Sequence, residues 1–300
     1  MRVATAQLYQ QSLASILNDQ AQLSRTQQQL ASGQRLLAPA DDPAAAAQIQ
    51  SIDTQIAATN QFQRNADAAT AQINLENGAL TSVVNGLQRA HDLAVQGLNG
   101  TQSARARQGI ATEVQQILQQ LVSVANTRDA NGQYLFAGFK SASAPVSQAG
   151  NTYTYSGDSG QRFLQIGPGR QVAVEDPGST VFMNIPSAGG GTQSVFKTLS
   201  DLVAGLKANS PSPSSLTNLN NALQNVLTVQ TRVGARLNAI SDQKTLNGNF
   251  LLQVQQNRSQ LSSLNLAQAA TRLNRQLVAL QAAQQSFAKI QGLSLFDFLR

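Results

Sequence analysis

The sequence predicts a mainly α-helical protein, an elongated helical bundle or coiled-coil rod with both termini at one end and a small inserted β domain. Apolar residues recur at alternating intervals of three and four in both halves of the chain, which is the spacing of a coiled-coil seam. Between these halves, residues 134–185 change to short runs typical of strands. Helices that lead out, a β insert and helices that lead back together imply a long hairpin.

The opening and closing segments carry matching stripes. The opening stripe consists of Tyr9, Leu13, Ile16, Gln20, Leu23, Gln27 and Leu30, and the closing one of Leu266, Ala270, Leu273, Leu277, Leu280, Gln284 and Phe287. Because both stripes contain glutamine, an isolated pair of these helices is marginal in water, since the entropy of ordering is barely offset. We therefore expect the two ends to order fully only against neighbouring molecules.

The middle of the chain contains the strongest helical pattern. It runs from Ile49 to Leu98, and a helix of that length measures on the order of 75 Å. A second helix is expected around 110–124. Helical spacing resumes at 195–206, breaks at the proline-containing "NSPSPS" and restarts at Leu216.

The β insert is predicted from five short runs, "YLFAGF", "TYTYSG", "RFLQIG", "RQVAVED" and "TVFMNI", with a turn at the "GPG" of residues 167–169. The expected domains are therefore a terminal-helix coiled coil (1–40 with 262–300), a long-helix rod (41–136 with 192–261) and an outer β domain (137–191). If the insert is autonomous, its removal preserves the helices.

The segment between the first two helices predicts a hinge. Gly33 is a plausible helix stop, Pro39 prevents continuation, and Asp41 or Asp42 can cap the next helix, with Pro43 in its first turn. The two carboxylates are interpreted as solvated helix-start residues rather than paired catalytic acids, because no third chemical group accompanies them.

Composition limits the function classes. Charged residues make up 12% of the chain, roughly half of the ~25% in an ordinary soluble protein, and the arginines behind the net charge of +6 are scattered rather than clustered. A nucleic-acid partner is therefore disfavoured. No run approaches the ~20 apolar residues needed to cross a bilayer, and the N-terminus lacks the pattern of a cleaved secretory signal, so no membrane partner is expected.

No residue is assigned chemistry. His91 is the single histidine, cysteine is absent, and a grouping of His91, Asp92 and Ser103 lacks any nucleophile signature. We expect no enzyme activity, no metal and no cofactor. A structural assembly subunit is the leading interpretation; a helix that binds nucleic acid or a membrane surface comes second, and a hydrolase is a remote third.

Four motifs resemble the bacterial flagellin family and occur in the order found in that family. They are "LASGQRLLAPADDPAAAAQ" (30–48), "DANGQYLFAGFKS" (129–141), "VQTRVGARLNAI" (229–240) and "FAKIQGLSLFDFLR" (287–300). The second and fourth are more similar to the family members that join hook to filament than to flagellin, which is the alternative.

The resemblance implies a structural subunit that links the first hook-associated protein to flagellin and forms a ring with its own copies. It also implies export without a cleaved signal peptide, an export chaperone as a further partner, and an extracellular location in the flagellum. The residues expected to make assembly contacts are Leu13, Ile16, Leu23, Leu30, Leu273, Leu277, Leu280, Phe287, Leu295, Phe296, Phe298 and Leu299. The last four form an unusually apolar chain end, for which we expect a receiving surface in the assembled junction.

Overall fold

The computed structural model describes the backbone of residues 2–296 and the side chains of residues 7–289. Within this range the helices are α1 (Arg2–Ser32), α2 (Pro43–Leu98), α3 (Ala104–Ala125), α4 (Val195–Lys207), α5 (Ser214–Ser262) and α6 (Leu266–Phe296). The mainly α-helical fold class is confirmed. The break predicted at 209–214 separates α4 from α5, where prolines 211 and 213 stand before the new helix.

The chain divides into two compact units. Unit 1 comprises residues up to 58 together with those from 250 onward, and unit 2 comprises residues 59–249. The boundary falls inside α2 and α5. The three-part domain division expected above remains a prediction.

The β region lies wholly in unit 2 and consists of three separate two-stranded antiparallel sheets. The strands pair as β1 (Val146–Ala149) with β2 (Thr152–Tyr155), β3 (Phe163–Gly167) with β4 (Arg170–Ala173), and β5 (Ile185–Pro186) with β6 (Thr192–Gln193). The turn predicted at 167–169 joins β3 to β4, and its Gly169 has a φ of +67°.

Two of the five expected strands are wrong. Residues 134–139 form turns, apart from an isolated bridge between Arg128 and Tyr134, and residues 179–183 form one wide helical turn. The reason is burial on adjacent positions: Leu135, Phe136 and Ala137 are all buried, as are Val181 and Phe182. A half-buried strand hides only alternate residues, so these segments follow the shape of the core instead.

The core of unit 2 is shared between the β region and the helices. Phe182 packs edge-on against Phe136, with ring centroids 5.1 Å apart, and also lies 5.7 Å from Phe196 at the start of α4. Ile166 and Val172 of the β3–β4 hairpin belong to the same buried cluster as Ile73 and Leu80 of α2. The insert is therefore not independent in its packing, which argues against the expectation that its removal preserves the helices.

We expect Phe182→Ala to lower the free energy of unfolding of unit 2 by about 3–5 kcal/mol, because the change opens a cavity in the shared core. Phe163→Ala is the matched control, since Phe163 lies in β3 but its side chain is mostly exposed; its effect should stay within about 0.5 kcal/mol. Urea unfolding followed by tyrosine fluorescence measures both. Equal effects of the two substitutions would contradict the shared core.

Glycine permits a close helix contact at Gly97, near the end of α2. A Cβ at this position would overlap the side chain of Leu206, which is fully buried in α4. Gly78, on the same helix, has nothing within 4 Å of the equivalent position. Packing therefore requires a glycine at position 97 but not at position 78.

We expect Gly97→Ala to destabilise unit 2 by about 1–2 kcal/mol, because overpacking outweighs the gain in helix propensity. Gly78→Ala should instead stabilise it by about 0.5–1 kcal/mol. Urea midpoints of the two variants would differ in opposite directions from that of the parent chain. Stabilisation by both would show that α4 can move aside at no cost.

Candidate functional site: the terminal helix pair and its junctions

The terminal helices α1 and α6 pack against each other in unit 1. The ring centroids of Tyr9 and Phe287 lie 4.9 Å apart. Towards the other end of the pair, Gln34 and Ser263, just beyond α1 and just before α6, form an antiparallel bridge. The two helices therefore run in opposite directions along each other.

The seam of this pair differs in part from the predicted stripes. In α1, Ile16, Leu23 and Leu30 lie on the covered side as expected, but the seam residues that alternate with them are Ser12, Asp19 and Thr26 rather than Leu13, Gln20 and Gln27. In α6, Leu273, Leu280 and Phe287 are likewise partly covered, together with Ala269, Gln276 and Ala283 rather than Ala270, Leu277 and Gln284. Alternate seam positions are thus shifted by one residue in both helices.

The shift has a physical reason. Residues three and four positions after a seam residue both flank the same line on a helix, and a single partner covers only one of them. The small side chains of Ala269 and Ala283 let the partner helix approach, so the bulkier Leu277 is left at the edge. Sequence periodicity alone does not decide between such neighbours.

As a result, the pair leaves large apolar side chains in water. Leu17 of α1 is 57% exposed and Val278 of α6 is 66% exposed. The remaining exposed leucines of α1 and α6 complete this group, which we call the open apolar residues of unit 1: Leu8, Leu13, Leu266 and Leu277. Apolar residues repeated along both members of a helix pair are typical of a surface that another protein covers.

The four apolar residues expected to act at the chain end are only partly described. The backbone of Leu295 and Phe296 belongs to α6, but their side chains lie outside the described residues. Phe298 and Leu299 lie outside them altogether. Their assembly role stays a prediction.

The segment from Gly33 to Asp42 joins α1 to α2 through a short 3₁₀ turn at Pro39–Asp41. Gly33 follows the last residue of α1 with a φ of +68°, a conformation that favours glycine at a helix end. The Asp41 carboxylate accepts hydrogen bonds from the backbone N–H groups of Leu37 (2.9 Å) and Ala38 (3.2 Å) and pairs with Arg25. The backbone bonds, chiefly that from Leu37, lower the pKa of Asp41.

Asp42 stands at the N-cap of α2, one residue before Pro43. Its Oδ1 accepts from the backbone N–H of Ala45 at 3.0 Å, and its Oδ2 lies 3.2 Å from Nη1 of Arg35. The bond from Ala45 is the main cause that lowers the pKa of Asp42, and Arg35 adds to it. The two neighbouring carboxylates thus have different structural partners, one in the turn and one at the helix.

Arg35 is a central residue of this region that the sequence analysis did not single out. Its guanidinium donates to the carbonyl of Leu261 at 3.0 and 3.2 Å, and its backbone N–H donates to the carbonyl of Ser262 at 2.8 Å. The N–H of Leu264 in turn donates to the carbonyl of Gly33 at 3.0 Å. The junction before α2 and the junction before α6 are therefore bonded to each other. A basic residue two positions after the glycine was the available signal.

The junction contacts cap α2 and hold the segment before α2 to the segment before α6. Among the described residues, no group of three or more His, Asp or Glu side chains is placed to hold a metal ion. No helix in the described part of the chain is long and apolar enough to cross a membrane. What unit 1 offers is an apolar surface on a helix pair with tightly bonded junctions.

We expect Asp42→Ala to speed hydrogen exchange at the Ala45 amide at pH 7, because the side-chain acceptor of that N–H is lost. Asp42→Asn is the matched control, since asparagine caps helices about as well but does not ionise. With its lowered pKa, Asp42 stabilises the folded chain above its ordinary value of 3.8, and this contribution fades as pH falls through the folded pKa below that value. NMR-detected exchange that is equally fast in both variants would contradict the cap.

The chain is similar to flagellar proteins of known sequence and structure. Residues 3–141 match the family described as the bacterial flagellin N-terminal helical region. A solved hook-associated protein 3 from Legionella pneumophila superposes with a TM-score of 0.67 at 25% identity, covering 71% of this chain and 98% of that one. Phase 1 flagellin of Salmonella naestved is 34% identical, but over 113 residues that make up 38% of this chain and 22% of that protein.

A second relative matches almost the whole chain. The flagellar hook-associated protein 3 of Escherichia coli K12 is 32% identical over 316 aligned residues, covering 99% of both chains. The alignment with the Salmonella naestved flagellin covers 38% of the chain, whereas the alignment with this relative covers 99% and so includes the helices, the β region and both junctions. The chain therefore belongs to the flagellar hook-associated protein 3 family, whose members are structural components of the flagellum.

Proposed function

We propose that this chain is the adaptor at the junction of hook and filament, linking the first hook-associated protein on one side to flagellin on the other. In this role several copies form a ring, and the terminal helices of neighbouring copies pack together. The observation that carries the proposal is the set of open apolar residues of unit 1, which a single chain leaves in water. Fully burying a leucine side chain contributes roughly 1.5–3 kcal/mol, so a neighbouring helix has much to gain there.

The seam positions support the same role. The pair of α1 and α6 uses Ser12, Asp19 and Thr26 as its inner polar positions, so it is weakly stabilised by its own contacts. Leu13 and Leu277, which we predicted as assembly contacts, are among the residues that this pairing leaves uncovered. A helix pair of this kind favours association with other chains over the monomeric state.

Transport to the junction is a second part of this proposal. We propose that the chain leaves the cell through the flagellar export route, without a cleaved signal peptide, and that an export chaperone covers the apolar side of α6 beforehand. An amphipathic helix laid into an apolar groove is a common mode of such binding. The chaperone is proposed to contact Leu277, Leu280 and Phe287. Other copies of the chain are proposed to contact Leu13 and Leu17.

The test replaces two open apolar residues by aspartate in cells that lack the native gene. We expect Leu17→Asp with Val278→Asp to be exported but to leave cells without filaments, because buried carboxylates prevent helix packing. Val95→Asp is the matched control: Val95 is an exposed apolar residue of unit 2, 51% accessible, and filaments should persist. Electron microscopy counts filaments, and immunodetection of the medium reports export.

Normal filaments on cells that make the double variant would overturn the proposal that the open apolar residues of unit 1 are needed for assembly. The flagellin alternative has its own distinguishing outcome. A filament subunit polymerises into long filaments from purified chain on added filament seeds, whereas an adaptor stops after a short layer. Long filaments of this chain alone would favour flagellin.

A further inference from the structure

Glu76 is a fully buried carboxyl group in the middle of α2. It has 0% exposure, and its Oε1 accepts a hydrogen bond from the backbone N–H of Asp176 at 2.9 Å. Its Oε2 is buried as well and has no hydrogen-bond partner among the described residues. An unpartnered oxygen is far more costly on a buried carboxylate than on a neutral carboxyl group.

The surroundings of Glu76 contain more acid than base. Asp176 and Glu175, from the segment after β4, are each 1% exposed. Arg236 of α5 donates two bonds to Asp176, at 2.8 and 2.9 Å, and Arg162 donates two to Glu175, at 2.5 and 2.7 Å.

Each arginine is thus committed to one carboxylate, and Glu76 receives none. Gln161 adds a neutral donor to Asp176 at 2.9 Å. Asp129, a partly exposed residue close enough to act on Arg162, supplies another negative charge rather than a balancing positive one. Three buried carboxyl groups therefore face two guanidinium groups, and one negative charge is in excess unless a proton neutralises it.

We propose that Glu76 carries a proton in the folded chain and that this proton locks the segment of residues 174–177 against α2 and α5, so that unit 2 loosens when alkaline solution removes it. Burial first, and the neighbouring Asp176 second, raise the pKa of Glu76 to about 8. The hydrogen bond from the Asp176 N–H and the charge of Arg236 oppose this rise without cancelling it.

The direction of the pH effect follows from linkage. The unfolded chain releases this proton near the ordinary glutamate value of 4.5, whereas the folded chain keeps it to about pH 8. Between these values the folded state binds one more proton than the unfolded state, so the stability of unit 2 falls as pH rises. Above about pH 8 both states have lost the proton, and the dependence on this group ends.

Glu76→Gln tests the proposal in the full-length chain. Glutamine keeps the acceptor for the Asp176 N–H and the shape of the side chain but cannot ionise. Relative to this variant, the unfolding equilibrium constant of the parent chain should rise about tenfold for each pH unit between roughly pH 5 and pH 8. Glu113→Gln is the matched control, because Glu113 is a half-exposed carboxylate of α3 that pairs with the exposed Arg89; its pH profile should follow that of the parent chain.

Urea unfolding followed by tyrosine fluorescence gives these constants, since Tyr134, Tyr153 and Tyr155 all lie in unit 2. Difference infrared spectroscopy of the folded parent chain supplies an independent reading: a protonated carboxyl band present at pH 6.5, lost by pH 9 and missing in Glu76→Gln. If the Glu76→Gln chain does not fold, the presence of the band in the parent chain at pH 6.5 and its loss by pH 9 are enough to test the proposal. Parallel pH profiles of parent and Glu76→Gln, or no such band, would overturn the proposal.

Discussion

Burial of one side of long, weakly apolar helices is the constraint on which the rest of this structure depends. Helix α2 is rich in alanine and glutamine, and such a helix gains little stability without tertiary packing. In unit 2 it receives that packing from α3, α4, α5 and the β region, whose apolar side chains form one buried cluster with its own. The β region is thus part of what stabilises the helix beside it.

The same packing explains the unusual polar features of unit 2. Gly97 is needed because Leu206 of α4 comes too close for a side chain. The Glu76 network ties α2 to α5 through the buried Asp176 and the partly buried Arg236, in surroundings where buried charges need balancing partners. A close-packed helix surface and a buried ionisable group therefore occur together, each a consequence of enclosing α2.

In unit 1 the helices are buried in a different way. There α1 packs against α6, and the described part of this pair leaves leucines and a valine in water. The bonds of Arg35, Asp41 and Asp42 hold the two junctions together, so this surface is presented on a defined scaffold. Unit 2 thus has a large shared core, whereas unit 1 is built around a single helix pair with exposed apolar side chains.

The sequence by itself determined the helices, their ends and the family. Apolar periodicity, prolines 39, 43, 211 and 213, and Gly33 act locally, so they could be interpreted without knowing any partner. Only the tertiary structure decided which neighbouring stripe forms the α1–α6 seam, which β-like runs are strands, and that Glu76, Asp176 and Arg236 meet. These outcomes depend on groups far apart in the chain competing for the same buried space, and residues such as Leu13 and Phe182 have no local signal that decides that competition.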